Sequence, residues 1–471
     1  MARWSGSAAL QAETAQLLGM AEEAVRQGQL GQALPMLSRA LAFDPEGAAP
    51  AYAELLARLS LSGWPPQLED DLVTCLHTAS VDPQALARGA ARMLLVKYPE
   101  PVVADDALWE AFLTRCINVD PAMERRLVWL AGQELPRALR TALAVQAFAS
   151  EYVWGGEGLS IPPAVAAEIA EERTLAAAMP SLGDSGDQIS RAVRDQYEAS
   201  PYPRWRAPPV PQRVSVAAHL AALGAPQSEP LELLVAGCGT GFEPIDMARM
   251  DPSLRITALD LSAASLAYGQ RMARERGVEN LRFVQGDILD SDKLGGRFGM
   301  VSSTGVLHHM ERPENGLSAL AGVLKPGGVL RIALYSERAR AWVSEAHDAI
   351  AAHGWDASPK GIRAFRAHVL ALPAGTPLAR LRESDDFYTL SGCRDLCFHV
   401  REHWYRLPAI GEMLTGAGLA LLMLDAPPEA QARFAAMHGD ADRRDLALWD
   451  RVEAAHPHLF AGMFHLWARR P

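Results

Sequence analysis

Three glycines punctuate the stretch VAGCGTGFEP, residues 235–244, directly after a short apolar run. Glycines placed there let backbone approach a ligand closely at the carboxyl end of a strand. A dinucleotide fingerprint would need its last glycine at position 242, which is Phe242. The loop is instead G-x-G-x-G, running Gly237, Cys238, Gly239, Thr240, Gly241, and it need not receive a pyrophosphate. A second apolar run, RITALDLS, reaches Asp260 19 residues after Gly241. A carboxylate at that point can accept from both hydroxyls of a ribose, or can cap the next helix. A third run, in FVQGDILD, ends at Asp287, which can accept from an adenine amino group while Ile288 covers the ring.

Titratable groups follow. FGMVSSTGVLHHM carries a strand into a small-residue turn and then His308 and His309, either of which can serve as a general base or form a structural hydrogen bond at the strand end. Laid on a helix, GCRDLCFHVREHWY sets Cys393, Leu396, Cys397, Val400 and Trp404 on one stripe and Asp395, His399, Glu402 and His403 on the other. The titratable face reads as acceptor contacts or a proton acceptor, or simply as a solvated face. The cysteines read as core; they do not converge with the histidines, so no metal is expected. HVREH fits a short metalloprotease pattern by accident. Asp385, Asp386 and Tyr388 in SDDFYTL face an acceptor or form a turn and a helix cap.

The elements that must position these groups fall into two blocks. Residues 1–185 read as helical, rich in Ala and Leu at spacings of three and four. Within them Gly28, Leu30, Ala33, Leu37, Ala40, Leu41 and Pro45 fit one tetratricopeptide-like hairpin, or equally a generic helical hairpin. MPSLGDSGDQ at 179–188 marks the expected boundary, with the second domain at 186–471. There LELLVA, RITALD, LRFVQ, GMVSS and GVLRIALY alternate with helical segments such as 262–276 and 314–324, the pattern of a parallel sheet covered on both faces. The segment 186–230, with Tyr197, Tyr202, Arg204 and Trp205 in QYEASPYPRW, reads as a cover over the ligand or as packing between domains. Residues 336–417 form a mostly helical insertion or lid, and GLALLMLDA and LFAGMFHLWA close the sheet as strands.

With 471 residues, two or more domains are expected. A net charge of −11 disfavours general nucleic-acid binding. The first residues lack the apolar core of a secretory signal, and no apolar run approaches membrane-spanning length. Five scattered cysteines suit a reducing compartment. A cytoplasmic protein without membrane contact is therefore expected.

In combination, VAGCGTG, ALDLS, GDI, VSSTGVLHHM and LKPGGVLRIALYS resemble the successive motifs of the class I S-adenosylmethionine-dependent methyltransferases over about 231–335. The resemblance implies an α/β, Rossmann-like seven-stranded sheet whose last strand is antiparallel, here with a helical insertion and preceded by an all-α, tetratricopeptide-like domain. It implies S-adenosylmethionine as cofactor, with Gly237, Cys238, Gly239, Thr240 and Gly241 along its methionine and ribose. Asp260 and Leu261 would lie at ribose, Asp287 and Ile288 at adenine, and Ser303 and Thr304 near the sulfonium. Many members carry Asp or Glu two residues before the first glycine; here that residue is Val235. The whole chain is also similar to a bacterial group with a tetratricopeptide-like N-terminal region, through FASEYVW, VRDQYEASPYPRW, IALYSERAR and DDFYTLSGCRDLCFHVREH. That similarity favours the cover reading, with Tyr197, Tyr202, Arg204 and Trp205 as a wall of the cofactor pocket. The expected chemistry is in-line methyl transfer to an O or N acceptor, a protein side chain or a small molecule, with positioning supplying about 7–11 kcal/mol of the barrier. His309, His399, His403 and Glu402 are the candidate catalytic groups, and the N-terminal helices a surface for a protein partner. The alternatives are a non-catalytic cofactor-binding interaction module and, third, a nicotinamide-dependent oxidoreductase.

Overall fold

A computed structural model describes residues 3–59, 63–183, 186–199, 201–206, 211–399, 401–460 and 462–471. Seven strands form one sheet: β1 Glu232–Ala236, β2 Arg255–Asp260, β3 Leu281–Gln285, β4 Phe298–Thr304, β5 Leu324–Tyr335, β6 Ala420–Asp425 and β7 Met463–Arg469. Their order is β3-β2-β1-β4-β5-β7-β6. Strands β1 to β5 are mutually parallel, and β7 lies antiparallel between β5 and β6.

Apolar residues fill both faces of the strands because helices cover both faces. Leu234 and Ala236 of β1 point into one core with Val301, Leu330 and Ile332. Leu233 and Val235 point into the other with Met300, Val329 and Trp467. This period of two buries alternate side chains in opposite layers and explains why the strand sequences are nearly continuous apolar runs. Lys325–Gly328 is accommodated as an irregularity between the pairs Phe298–Leu324 and Met300–Val329. The chain proceeds outward from β1 through β2 to β3, then returns to place β4 on the other side of β1. The strand order therefore switches direction at β1 and β4, and the connections leaving their carboxyl ends part around a crevice, the usual ligand position in such sheets.

The chain divides into two compact units, and the division is not one cut near residue 185. The first unit comprises Met1–Ala166, Trp205–Pro211 and Ser358–Cys393; the second comprises Ala167–Arg204, Gln212–Ala357 and Arg394–Pro471. The first is helical. Helix Leu30–Phe43 buries Ala33, Leu37, Ala40 and Leu41, and Gly28 turns the chain before it with φ of 72°. Pro45 opens the next helix, Pro45–Arg58, which is capped by Asp44. The middle of the insertion belongs to this unit for a concrete reason. Arg366 makes a buried ion pair with Glu124 at 2.6 Å, donates to the Phe387 carbonyl at 2.6 Å and lies against the Phe387 ring. Arg363 also donates to the Tyr152 carbonyl at 2.7 Å. Such pairing fixes one packing arrangement rather than adding much stability.

Among the described residues, no helix is long and apolar enough to cross a membrane.

Candidate functional site

The crevice beyond β1 and β4 opens into a cavity of about 390 Å³ whose lining lies wholly in the second unit. The glycine loop forms its floor. Gly237 has φ of 74°, and a Cβ there would overlap the side chain of Val306. Gly239, at φ of 53°, brings its backbone so near the cover segment that a Cβ would stand 3.1 Å from the Tyr202 carbonyl. Neither position tolerates a side chain without displacing the neighbouring wall.

Asp260 binds the loop. Its Oδ2 accepts from the Gly239 N–H at 2.7 Å and its Oδ1 from the Ser262 N–H at 3.0 Å. Burial raises its carboxyl above the ordinary value, and the two N–H donors oppose that rise. The cap of the following helix is Ser262, not Asp260: its hydroxyl accepts from the Ser265 N–H. Asp287 is buried and accepts from the Leu289 N–H at 2.9 Å. Both carboxylates, with Leu261 and Ile288, line the same cavity.

The cover is ordered by specific bonds. Glu198, on helix Gln188–Ala199, accepts from the N–H groups of Ala263 and Ala264 at 2.6 and 3.2 Å, which pins it beside Asp260. Ile189, Val193, Tyr197, Tyr202 and Pro203 line the cavity. The Thr240 hydroxyl donates to the Pro203 carbonyl at 2.5 Å. Thr240→Val removes this bond at unchanged shape and leaves the carbonyl unpaired. It should weaken S-adenosylhomocysteine binding about fivefold, near 1 kcal/mol, with little change in melting temperature; calorimetry and a thermal melt check both.

Several expected residues sit elsewhere. Arg204 is outside the lining; its guanidinium lies over the Tyr268 ring, with Glu172 at 4.0 Å. Trp205 falls in the helical unit. Ser303 is fully buried behind the lining, whereas Thr304 reaches it; the hydroxyls of both are buried without a hydrogen-bond partner among the described residues. Thr240 and Gly241 support the loop from behind, Gly241 at the head of helix Phe242–Met250, while Cys238 faces the cavity.

The helix expected across 393–404 ends at Cys397. Up to that point the apolar stripe is buried as expected at Cys393, Leu396 and Cys397; Val400 lies outside the described residues. Beyond it the backbone bonds to the edge of the sheet region instead of continuing the helix. The His403 N–H donates to the His308 carbonyl at 2.8 Å and the Tyr405 N–H to the Tyr335 carbonyl at 2.9 Å. The titratable face is consequently dispersed. Glu402 forms a buried ion pair with Arg340 at 2.8 Å, and the His403 Nε2 bonds to the Met310 carbonyl at 3.1 Å; neither residue lines the cavity. His399 instead stacks on His309, ring centroids 3.5 Å apart. Tyr197 donates its hydroxyl to Asp395, and Tyr197, Asp395, His309 and Tyr335 all face the cavity. Burial pushes His309 and His399 down to about 4, against the raising effect of the Arg401 carbonyl bonded to each. Both imidazoles are therefore neutral near pH 7. Asp385 pairs with Arg88 inside the helical unit, and Tyr388 donates to the Arg382 carbonyl; these two and Asp386 are absent from the lining.

Glu243 was not anticipated. It lines the cavity two residues past the last loop glycine, accepting from the Ser302 hydroxyl at 2.5 Å with Arg331 at 3.2 Å. Val235 carries no carboxylate at this end, and Glu243 supplies one. The lining thus holds four carboxylates, Glu243, Asp260, Asp287 and Asp395, and among its described residues no lysine or arginine.

Residues 229–366 match the family model described as a methyltransferase domain. An uncharacterised protein of Synechococcus sp. is 34% identical over 260 residues, covering 50% of this chain and 60% of its own. Trans-aconitate 2-methyltransferase of Deinococcus radiodurans is 35% identical over 107 residues, covering 23% of this chain and 39% of its own. The chain thus spans less than two thirds of either relative. Among solved structures, PKMT2 from Rickettsia typhi in complex with AdoHcy aligns with a TM-score of 0.43 at 16% identity, covering 55% of this chain and 54% of that one. The matched residues, the strand order and the loop they build together make residues 229–366 a methyltransferase domain.

Proposed function

We propose that the chain transfers the methyl group of S-adenosylmethionine to a hydroxyl, amine or similar protic acceptor bound beside Tyr197, His309 and Tyr335. The observation that carries this reading is the charge of the cavity: four carboxylates and no lysine or arginine among the described lining residues, with the lining histidine, His309, kept neutral by burial. Such a recess suits a cationic ligand and opposes a pyrophosphate. The nicotinamide alternative is disfavoured on the same ground, and by Phe242 at the fingerprint position.

S-adenosylmethionine supplies an activated methyl on a good leaving group, so no covalent enzyme intermediate is needed. The chain's own residues position and shield. Asp260 has lone pairs beyond those used by Gly239 and Ser262 with which to accept from ribose hydroxyls. Asp287 and Ile288 take the base, Glu243 offers a carboxylate to the ammonium end, and the orphaned Thr304 hydroxyl lies at the end of β4. Tyr197, Tyr202 and Tyr335 bring aromatic surface to a positive centre. The helix Gln188–Ala199 and Tyr202–Pro203 exclude water. The helical unit is the proposed surface for a protein acceptor or partner, and a cytoplasmic setting is part of the same reading.

The test incubates the protein with methyl-labelled S-adenosylmethionine and host lysate, then separates protein-bound from small-molecule label. Label incorporation lost in the Asp260→Ala variant supports transfer. Cofactor binding with no incorporation in any fraction would overturn it in favour of a non-catalytic module.

A further inference from the structure

We propose that His309, His399 and Asp395 form a binding site for one divalent first-row transition ion, of the Zn²⁺ class, at the edge of the cofactor cavity. One ligand atom from each of the three residues lies within 4.8 Å of the other two. The expectation of no metal rested on laying 393–404 out as a helix, on which Asp395 and His399 have no reason to meet His309. The break at Cys397 removes that separation: the chain turns back, and His399 comes to lie on the His309 ring.

The second observation concerns which nitrogens remain available. The Nδ1 atoms of His309 and His399 both bond to one acceptor, the Arg401 carbonyl, at 3.0 and 2.8 Å. A carbonyl accepts only from N–H, so in these two bonds each imidazole donates from Nδ1 and keeps a lone pair on Nε2; the Arg401 N–H, 3.3 Å from the His399 Nδ1, is the longer, competing contact. Metal-bound histidines are oriented in this way, with the distal nitrogen donating to a backbone carbonyl. The carboxylate is oriented too: the Tyr197 hydroxyl donates to Asp395 and stands 3.4 Å from the His399 Nε2. His309 is buried and the other two half-buried, so this is not a solvated charge cluster.

The alternative use of the same groups is as proton acceptors. Burial holds both imidazoles near 4, which makes them weak bases at neutral pH yet leaves their lone pairs unprotonated. Burial also pushes the Asp395 carboxyl upward, a cost that a bound cation would offset. Two imidazoles and one carboxylate suit Zn²⁺, Co²⁺, Mn²⁺ or Fe²⁺; the oxygen ligands are too few for Ca²⁺ or Mg²⁺. Bond lengths of about 2.0–2.1 Å require ligand atoms about 3.4 Å apart in a tetrahedron, so the histidine stack must open as the ion enters. Three protein ligands leave a position free toward the cavity, where an acceptor hydroxyl or thiol would ionise more readily. That last consequence alone rests on the methyl-transfer reading.

The experiment uses the full chain, freed of any affinity tag and stripped with a chelator. It is titrated with Zn²⁺ against a chromophoric chelator, and with Co²⁺ while its visible d–d absorption is followed. One equivalent should bind, and His309→Gln, His399→Gln and Asp395→Asn should each weaken binding at least tenfold, while remote His456→Gln does not. Thermal melts identify a variant that fails to fold, and His399→Gln, at a half-buried position, keeps the test decisive if the buried His309 variant does. Absence of stoichiometric binding, or binding unchanged in the folded variants, overturns the proposal. S-adenosylhomocysteine affinity, measured separately by calorimetry, reports the cofactor reading, so that either can fail without the other.

Discussion

Replacing Asp260 with alanine should lower the affinity for S-adenosylhomocysteine at least 100-fold, about 3 kcal/mol, while the sheet stays folded. Two losses combine. The ribose hydroxyls lose a charged acceptor, and such bonds contribute about 1.5–3 kcal/mol each. The loop also loses its brace, since Asp260 holds the Gly239 N–H at 2.7 Å and the Ser262 N–H at 3.0 Å. Without it, Gly239 no longer has a reason to stay beneath Tyr202. Asp260→Asn keeps the volume and one carbonyl oxygen, and should fall between alanine and the native residue. Asp287→Asn should cost about tenfold, because the Asp287 bond to Leu289 caps a short 3₁₀ turn and does not brace the glycine loop. Calorimetry gives the affinities, and a thermal melt separates local from global loss. An Asp260→Ala protein that binds within threefold of the native one would remove the ribose role altogether.

Much of this cavity was legible in the sequence because its parts depend on local rules. A glycine loop after an apolar run, and acids at the ends of the next two runs, need only the alternation of strand and helix to converge on one edge. Gly237, Gly239, Asp260, Asp287 and Ile288 accordingly lie on one recess. What was not legible depends on where the backbone finds its hydrogen bonds. The stretch after Cys397 has helical periodicity, yet its N–H groups at His403 and Tyr405 bond to the carbonyls of His308 and Tyr335. Periodicity reports a preference, and these non-local partners override it. Helical spacing therefore groups Asp395, His399, Glu402 and His403, whereas the structure brings Asp395 and His399 to His309 and turns Glu402 to Arg340 and His403 to the Met310 carbonyl. Arg204 illustrates the same limit. Its neighbours Tyr202 and Pro203 wall the cavity, but its own charge turns to Glu172. The division of the insertion was equally hidden, since nothing within 336–417 announces that Arg366 will seek Glu124, 242 residues earlier.

Glu402→Gln should destabilise the folded protein by about 3–5 kcal/mol, and it should do so as a structural loss. The two side chains of the Arg340–Glu402 pair are 7% and 6% exposed. Arg340 reaches both carboxylate oxygens, Oε1 at 3.0 Å and Oε2 at 2.8 Å, and its guanidinium lies 3.8 Å over the Tyr335 ring. Glutamine keeps one of those acceptors and removes the charge, which leaves a buried guanidinium without its ion-pair partner. On a solvated helix face the same substitution would fall within about 0.5 kcal/mol of neutral. Shifts of the urea midpoint at constant slope distinguish the two. A second variant separates desolvation from attraction. Arg340→Met combined with Glu402→Leu removes both charges, and should recover most of the lost stability, since what costs energy is the stranded charge and not the absence of the pair. If the single variant were as stable as the native protein but transferred no methyl group, Glu402 would have to be returned to the reacting centre. The bidentate contact, the low exposure of both partners and the absence of Glu402 from the cavity lining all argue for the opposite outcome.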